Sequence, residues 1–106
     1  MTQAELFQAL KTIGIPVTYR AFKEPVEPPY LIYAYTYNND QVADNHNYVD
    51  ISNFQIELYN TRKDLATERL VQDKLKELKL PYSKVENYLA SEGMVQVVYE
   101  IQLIGG

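Results

Sequence analysis

The sequence predicts an α+β fold in which a mainly antiparallel or mixed sheet of about four to five strands carries two helices on one face. Two segments with apolar residues at helical spacing, near residues 3–13 and 64–79, predict the helices. Segments dense in aromatic and β-branched residues lie between and after them and predict strands, in the overall order α-β-β-β-α-β. With 106 residues, the chain is expected to form one domain over residues 1–106.

The first helix is predicted over residues 3–13. Thr2 and Glu5 have the spacing of a capping box, in which each side chain bonds the backbone N–H of the other residue. Apolar residues then follow at helical spacing, and Gly14 supplies a stop. This stripe consists of Leu6, Ala9, Leu10 and Ile13. A short strand is expected next, over residues 17–22.

The clearest strand is predicted over residues 30–37, where tyrosine and β-branched residues dominate. A polar, turn-prone segment over residues 38–47 predicts a loop or hairpin tip, and a strand returns over residues 48–60. Val49 and Ile51 have the opposite parity to the apolar residues that follow them. A bulge near Ser52 and Asn53 is therefore expected, because it would bring both sets to one face.

The second helix is predicted from an N-cap at Asp64 to about Lys79, with Pro81 as its terminator. Residues 85–89 indicate a short strand or turn. A final strand over residues 95–103 alternates apolar and mostly polar side chains, as a half-buried strand does. The expected buried stripe of this helix is Leu65, Ala66, Leu70, Val71, Leu75 and Leu78.

Tyrosine is unusually frequent, with ten residues against three phenylalanines and no tryptophan. A tyrosine combines a large apolar ring with a hydroxyl that needs a partner, so it suits interfaces as well as strands. Tyr33, Tyr35 and Tyr37 share one parity in their strand, whereas Tyr30 and Ile32 have the other. Both faces of this strand therefore carry apolar area, which predicts that the sheet face without helices meets a partner.

The charges are unevenly placed along the chain, which has a formal net charge of −4 and a pI near 4.9. Between Lys23 and Arg62 the chain has no lysine or arginine, yet it has six acidic residues. Seven of the ten basic residues fall between Arg62 and Lys84. Either this is ordinary surface charge, or the two segments complement each other between neighbouring copies. The acidic balance disfavours specific nucleic-acid binding.

No pattern of residues predicts catalysis, a cofactor or a metal site. The chain has no cysteine and neither a phosphate-binding nor a dinucleotide-binding glycine motif. His46 stands with Asp40, Asp44 and Asp50 in a segment that is read either as a carboxylate–imidazole metal site or as an ordinary polar loop. The polar loop is favoured, because the segment lacks the glycine and terminal glutamate of a calcium loop. No apolar run reaches membrane-spanning length.

Several segments occur in an order that resembles a known family. They are residues 29–33, 39–40, 43–45 with Tyr48, 55–59, 63–64 with Glu68 and Leu75, and 92–100. In this order they resemble the tail-terminator (tail-completion) and head–tail joining proteins of long-tailed phages and prophages of Gram-positive bacteria. The resemblance spans roughly residues 6–103.

The resemblance implies a structural protein without catalytic residues or cofactors. Its members form a ring, usually a hexamer, that caps the tail tube, ends tail elongation and presents the tail to the head connector. The implied partners are further copies of the chain, the tail tube protein and the head connector protein, while DNA passes through the ring. The implied location is the head-proximal end of the tail, and the host cytoplasm during assembly.

Two alternatives remain open at the level of sequence. The first alternative is another head–tail joining or minor capsid component. The second is a cytoplasmic protein-binding adaptor. For the ring that the resemblance implies, one surface is the candidate for contact with a neighbouring subunit or with the tube. It consists of the tyrosine-rich strand end, the polar loop and the start of the basic segment: Tyr33, Tyr35, Tyr37, Asn38, Asp40, Asp44, Asn45, His46, Tyr48, Arg62 and Lys63.

Overall fold

Two helices, a five-stranded sheet and a separate two-stranded sheet make up the structure. The computed structural model describes the backbone of residues 1–43 and 46–105, and the side chains of these residues except 43 and 46–48. In chain order the elements are α1 (Gln3–Lys11), β1 (Val17–Tyr19), β2 (Tyr30–Asn38), β3 (Gln41–Ala43), β4 (His46–Val49), β5 (Ile51–Asn60), α2 (Leu65–Glu77), β6 (Ser83–Leu89) and β7 (Met94–Ile104).

The larger sheet is mixed, with the strand order β1-β2-β5-β7-β6. Strand β1 pairs with β2 in parallel, and every other pairing in this sheet is antiparallel. The predicted α+β fold with a mixed sheet is therefore confirmed. Two segments contain more strand than expected. Strands β3 and β4 lie within or beside the polar segment of residues 38–47, which was predicted as a loop or hairpin tip. Residues 83–89, where a short strand or turn was expected, form the full edge strand β6.

Both helices cover the same face of the larger sheet, here called the helix face. Leu6 and Leu10 of α1, and Val71 and Leu75 of α2, are fully buried in one cluster with residues from the central strands. The strand residues of this cluster are Leu31, Tyr33, Phe54, Ile56, Leu58, Val97, Tyr99, Ile101 and Leu103. Alternation along β5 and β7 predicted this face correctly.

The helix starts agree with the sequence patterns. At α1, Thr2 Oγ1 accepts from the Glu5 N–H at 3.1 Å, and Glu5 Oε1 accepts from the Thr2 N–H at 2.9 Å, so the capping box is formed. At α2, the side chain of Asp64 accepts from the N–H groups of Ala66 and Thr67. Helix α2 ends at Glu77, before Pro81, because the backbone enters the left-handed region at Lys79.

The predicted buried stripe of α2 is partly wrong. Leu65 and Leu70 are 64% and 49% exposed, whereas Thr67 and Glu68 are buried. Val71 and Leu75 are buried as expected. The helix is thus rotated from the phase that its leucines suggest, and a carboxylate occupies a core-facing position.

The bulge lies in a different strand from the one predicted. Strand β5 pairs with β7 without interruption, from the pair of Ile51 with Ile104 to the pair of Asn60 with Val95. The irregularity falls in β2, between Tyr35 and Tyr37. Ile51 therefore stays on the face opposite the helices. The first predicted strand is also shorter than expected and ends at Tyr19.

Candidate subunit-contact surfaces

Tyr33 lies in the hydrophobic core, so its predicted place at an interface is wrong. Its side chain is only 5% exposed. The ring stacks on Phe7 of α1, with centroids 5.8 Å apart, and meets Tyr19 edge-on at 5.1 Å. Burial raises the pKa of the Tyr33 hydroxyl, opposed by a hydrogen bond with Gln3. This tyrosine fastens α1 to the sheet.

The bulge in β2 separates the two tyrosines that follow. Tyr35 pairs with Phe54 on the helix face and touches its ring edge-on at 5.8 Å. After the bulge, Tyr37 pairs with Asn53, which lies on the opposite face of β5. Tyr37 is 58% exposed and Tyr35 is 38% exposed. The equal parity of the two residues in the sequence therefore does not place them together.

Strands β3 and β4 form a hairpin, here called the arm, that belongs to its own sheet. Gln41 pairs with Val49, and Ala43 pairs with His46. Among the described residues, the two strands pair only with each other. Val42 of the arm is 65% exposed. An isolated two-stranded hairpin is marginally stable in water, so such an arm gains order by docking on another surface.

The base of the arm is fixed by side-chain hydrogen bonds. Asp40 Oδ1 accepts from the N–H of Ile51 at 2.9 Å and from Asn38 Nδ2 at 2.9 Å. Asn53 Nδ2 donates to Asn39 Oδ1 at 2.7 Å and to the carbonyl oxygen of Tyr37 at 3.1 Å. Asn38 and Asp40, predicted as contact residues, thus hold the junction between the arm and the body.

Four further predicted contact residues fall in or beside the arm sequence, and the structure describes none of their side chains. Asp44 and Asn45 fall outside the described residues. His46 and Tyr48 lie in β4, but their side chains are likewise outside the described part. Their predicted contact role is untested by the structure.

Lys63 is engaged within the chain, whereas Arg62 is exposed beside it. Lys63 Nζ donates to Glu68 Oε1 at 3.0 Å and lies 2.8 Å from Oε2, without hydrogen-bond alignment to that second oxygen. It also contacts Glu86 on β6. Lys84 Nζ approaches Glu68 Oε1 at 2.6 Å. This cluster joins the β5–α2 connection, α2 and β6.

Glu68 is the centre of this cluster, and its side chain is only 3% exposed. Burial raises the pKa of the Glu68 carboxyl, but the hydrogen bonds and charges of Lys63 and Lys84 outweigh burial, so the pKa lies below its ordinary value of 4.5. The sequence analysis missed this group. One signal was present: Glu68 precedes Val71 and Leu75 by three and seven residues, which is core-facing spacing on a helix.

The sheet face opposite the helices, here called the open face, carries an aromatic group at the end where β2 begins. Tyr30 stacks on Tyr59 with centroids 5.1 Å apart, and Phe22 meets Tyr30 edge-on at 5.4 Å. The Tyr30 hydroxyl reaches the sulfur of Met94 at 3.9 Å. Phe22, Tyr30 and Met94 line one groove together with Ile32. The sequence analysis noted Tyr30 and Ile32 but did not choose them as contact residues.

A polar ladder crosses the open face beside this aromatic group. The Tyr59 hydroxyl donates to Glu57 Oε1 at 2.5 Å and accepts from Gln96 Nε2 at 2.9 Å. Gln96 Oε1 accepts from Asn87 Nδ2 at 3.1 Å. Burial, the hydrogen bond to Glu57 and the Glu57 charge raise the pKa of Tyr59 well above its ordinary value. The ladder ties β5, β7 and β6 into one surface of fixed side chains.

The described side chains offer no arrangement for metal binding. Within residues 1–42 and 49–105, no group of three or more His, Asp or Glu residues is placed to hold a metal ion. None of the described helices is long and apolar enough to cross a membrane. No family model matches the chain, and no curated protein matches it significantly.

Proposed function

We propose that this chain is a structural subunit of a closed ring, a hexamer, that caps the tail tube of a long-tailed phage. In this role it ends tail elongation and presents the tail to the head connector. The observation that carries the proposal is the arm, whose strands pair only with each other among the described residues and which exposes Val42. The resemblance of the ordered sequence segments supplies the class of assembly.

The arm suits assembly because it has few means of stability within its own chain. Its two strands are three and four residues long, and a hairpin of that size needs a further surface to become well ordered. The hydrogen bonds of Asp40 and Asn53 fix its base, so it leaves the body at a defined place. A projecting, positioned arm is a common means of contact with a neighbouring subunit.

The open face supports a second contact, with the tube or the connector. The helix face is already covered by α1 and α2, so the open face is the larger sheet's remaining broad surface. Its Tyr30 and Tyr59 rings are half-buried and their hydroxyls are bonded, which suits an interface with apolar and polar parts. Fixed side chains also lose little conformational entropy when a partner binds.

The distribution of charge fits a head-to-tail ring. A cyclic assembly joins two different surfaces of the same chain, so one surface must complement another. The acidic segment before Arg62 and the basic-leaning segment after it supply such a pair. The net charge of −4 also suits a ring through which DNA passes without being held.

The proposal is tested by deleting the gene from the phage or prophage genome that encodes it. Electron microscopy of the resulting particles is expected to show filled heads without tails, together with free tails of irregular length. Expression of the wild-type chain restores normal virions, while Val42→Asp, which changes an exposed arm residue, restores few of them. Circular dichroism of the purified variant checks that it is folded.

Normal virions from the deletion would contradict the proposal. If the deletion instead gives heads with aberrant DNA content or shape and tails of normal length, the chain is a head-joining or minor capsid component. If particles are unaffected and the purified protein is a monomer, the protein-binding adaptor replaces the tail-capping ring as the proposed function.

A further inference from the structure

A groove lies at the end of the larger sheet from which the arm extends, and it is a candidate docking site. It lies at the C-terminal end of α2, and we call it the α2 shelf. This shallow groove is lined by Lys76, Lys79, Leu80, Pro81 and Tyr82. Two contacts hold the residues of the shelf against the body of the protein. The N–H of Leu80 donates to the carbonyl oxygen of Leu75 at 2.9 Å, and the Tyr82 ring packs edge-on against Tyr99 with centroids 5.5 Å apart.

The shelf is basic and its charges are not neutralised within the described chain. Lys76 and Lys79 are exposed, and neither forms an ion pair with any described residue. Lys74, two residues before Lys76, is paired with Glu77 at 2.5 Å. Two free ammonium groups therefore flank a small apolar floor of leucine, proline and tyrosine.

The arm carries the complementary features. Residues 38–50 contain three aspartates and no lysine or arginine. Val42 presents an apolar side chain that is 65% exposed, and Asp50 at the base is exposed. An acidic hairpin with an exposed valine thus matches a groove that has an apolar floor and two lysines at its rim.

The two surfaces lie at the same end of the larger sheet but beside different strands. The arm leaves the sheet between the end of β2 and the start of β5, and the register of Ile51 with Ile104 places that end beside the end of β7. Ser83, which follows the shelf, pairs with Glu100 near the same end. In the strand order β1-β2-β5-β7-β6, the arm connects β2 to β5, whereas the shelf directly precedes the edge strand β6. Strand β7 lies between β5 and β6.

We infer that the arm of one copy docks on the α2 shelf of the next copy. Repetition of this contact around a ring uses one donor surface and one acceptor surface on every subunit, as a heterologous assembly requires. The inference rests on the proposed function for its ring and adds the pair of surfaces that close it. Docking brings the acidic segment of residues 38–50, in which Asp50 is exposed, against Lys76 and Lys79, and it covers Val42 with Leu80 and Tyr82.

The chain contains no cysteine, so the contact can be tested by disulfide trapping between two single variants. Val42→Cys is mixed with Pro81→Cys, and the mixture is oxidised mildly and separated without reductant. The control mixture is Val42→Cys with Leu70→Cys, because Leu70 is 49% exposed on α2 and is not part of the shelf. Mixing single variants excludes a bond within one chain.

The mixed dimer is expected to exceed the control by about tenfold or more, since docking raises the effective concentration of the two thiols. Adding Lys76→Glu and Lys79→Glu to the Pro81→Cys chain is expected to reduce the yield to the control level. Arg69→Glu, an exposed charge reversal on the same helix, leaves it unchanged. For Val42→Cys mixed with Pro81→Cys, an increase in salt concentration should lower the yield of the mixed dimer, because salt screens attraction between charges.

A yield equal to the control, or one that does not respond to the lysine reversals, overturns the arm-to-shelf contact. This failure is distinct from failure of the proposed function. A ring that forms without the cross-link leaves the proposed function standing with another interface. A strong cross-link in a protein whose deletion leaves tails normal keeps the contact and removes the phage role.

Discussion

The two faces of the larger sheet are built from the same strands but use their side chains differently. On the helix face, Ile56 and its cross-strand partners Tyr33 and Tyr99 are buried by α1 and α2. On the open face, the neighbouring Glu57 lies in a hydrogen-bonded ladder with Tyr59 that remains half accessible. Apolar burial is therefore concentrated on the helix face, while the open face and the arm keep accessible side chains.

The largest expected effect comes from the buried face. Ile56→Ala removes a fully buried side chain and leaves a cavity, so it should lower the free energy of unfolding by about 3 kcal/mol. Gln55→Ala, the adjacent residue on the open face, should change it by less than about 0.5 kcal/mol. Urea denaturation of both variants measures the difference. Equal midpoints would show that the two faces do not differ as described.

The second effect concerns the buried carboxylate. Glu68→Gln removes the charge that Lys63 and Lys84 share and should cost about 2 kcal/mol, less than a fully enclosed pair because both lysines are partly exposed. Glu77→Gln, which removes an exposed partner of Lys74, should cost less than about 0.5 kcal/mol. Thermal and urea unfolding at neutral pH would compare the two.

The same carboxylate predicts a dependence on acid. Because the pKa of Glu68 in the folded chain lies below its ordinary value of 4.5, its contribution is complete above that value and is lost as the pH falls through the folded-state pKa. Unfolding measured from pH 7 to pH 2 should show a shallower acid loss in Glu68→Gln than in the wild type. Parallel curves would exclude Glu68 as a major source of the acid dependence.

A smaller effect is expected from the open-face ladder. Tyr59→Phe removes the hydroxyl that bonds Glu57 and Gln96, and it should cost about 1 kcal/mol. Tyr88→Phe serves as the control, since Tyr88 is 69% exposed and has no hydrogen bond from its hydroxyl to a described residue. If both variants unfold at the same urea concentration, the ladder does not hold the strands and is only a surface arrangement.

The smallest effect on stability is expected in the arm. Val42→Asp should leave the free energy of unfolding of the isolated chain within about 0.5 kcal/mol of the wild type, because Val42 is mostly exposed. It should nonetheless lower the average mass of the assembled protein, as measured by light scattering. A large loss of stability instead would mean that the arm belongs to the folded body.

The sequence predicted those features that depend on local periodicity and capping. Alternation placed Ile56 and Val97 on the buried face, and the capping patterns placed the starts of both helices. These features are decided by neighbours within a few residues, so a single sequence carries them. The fold class followed from the order of such segments.

The features that failed depend on distant residues. The phase of α2 could not be read from its leucines, because Glu68 is made acceptable in the core by Lys84 from β6. The side of Tyr37 could not be read from parity, because the bulge in β2 is set by its pairing with β5. Two of the predicted contact residues, Tyr33 and Lys63, find partners elsewhere in the chain, which parity and local charge do not reveal.

The central claim is that the chain works as a subunit of a closed homo-oligomer, and its mass in solution tests this most directly. Light scattering coupled to size exclusion, over a series of protein concentrations, should show a mass that rises to a fixed multiple of the 12.3 kDa chain, six for a hexamer, and then remains constant. Val42→Asp should shift this rise to higher concentration. A mass of 12.3 kDa for the wild type at every concentration would contradict the claim.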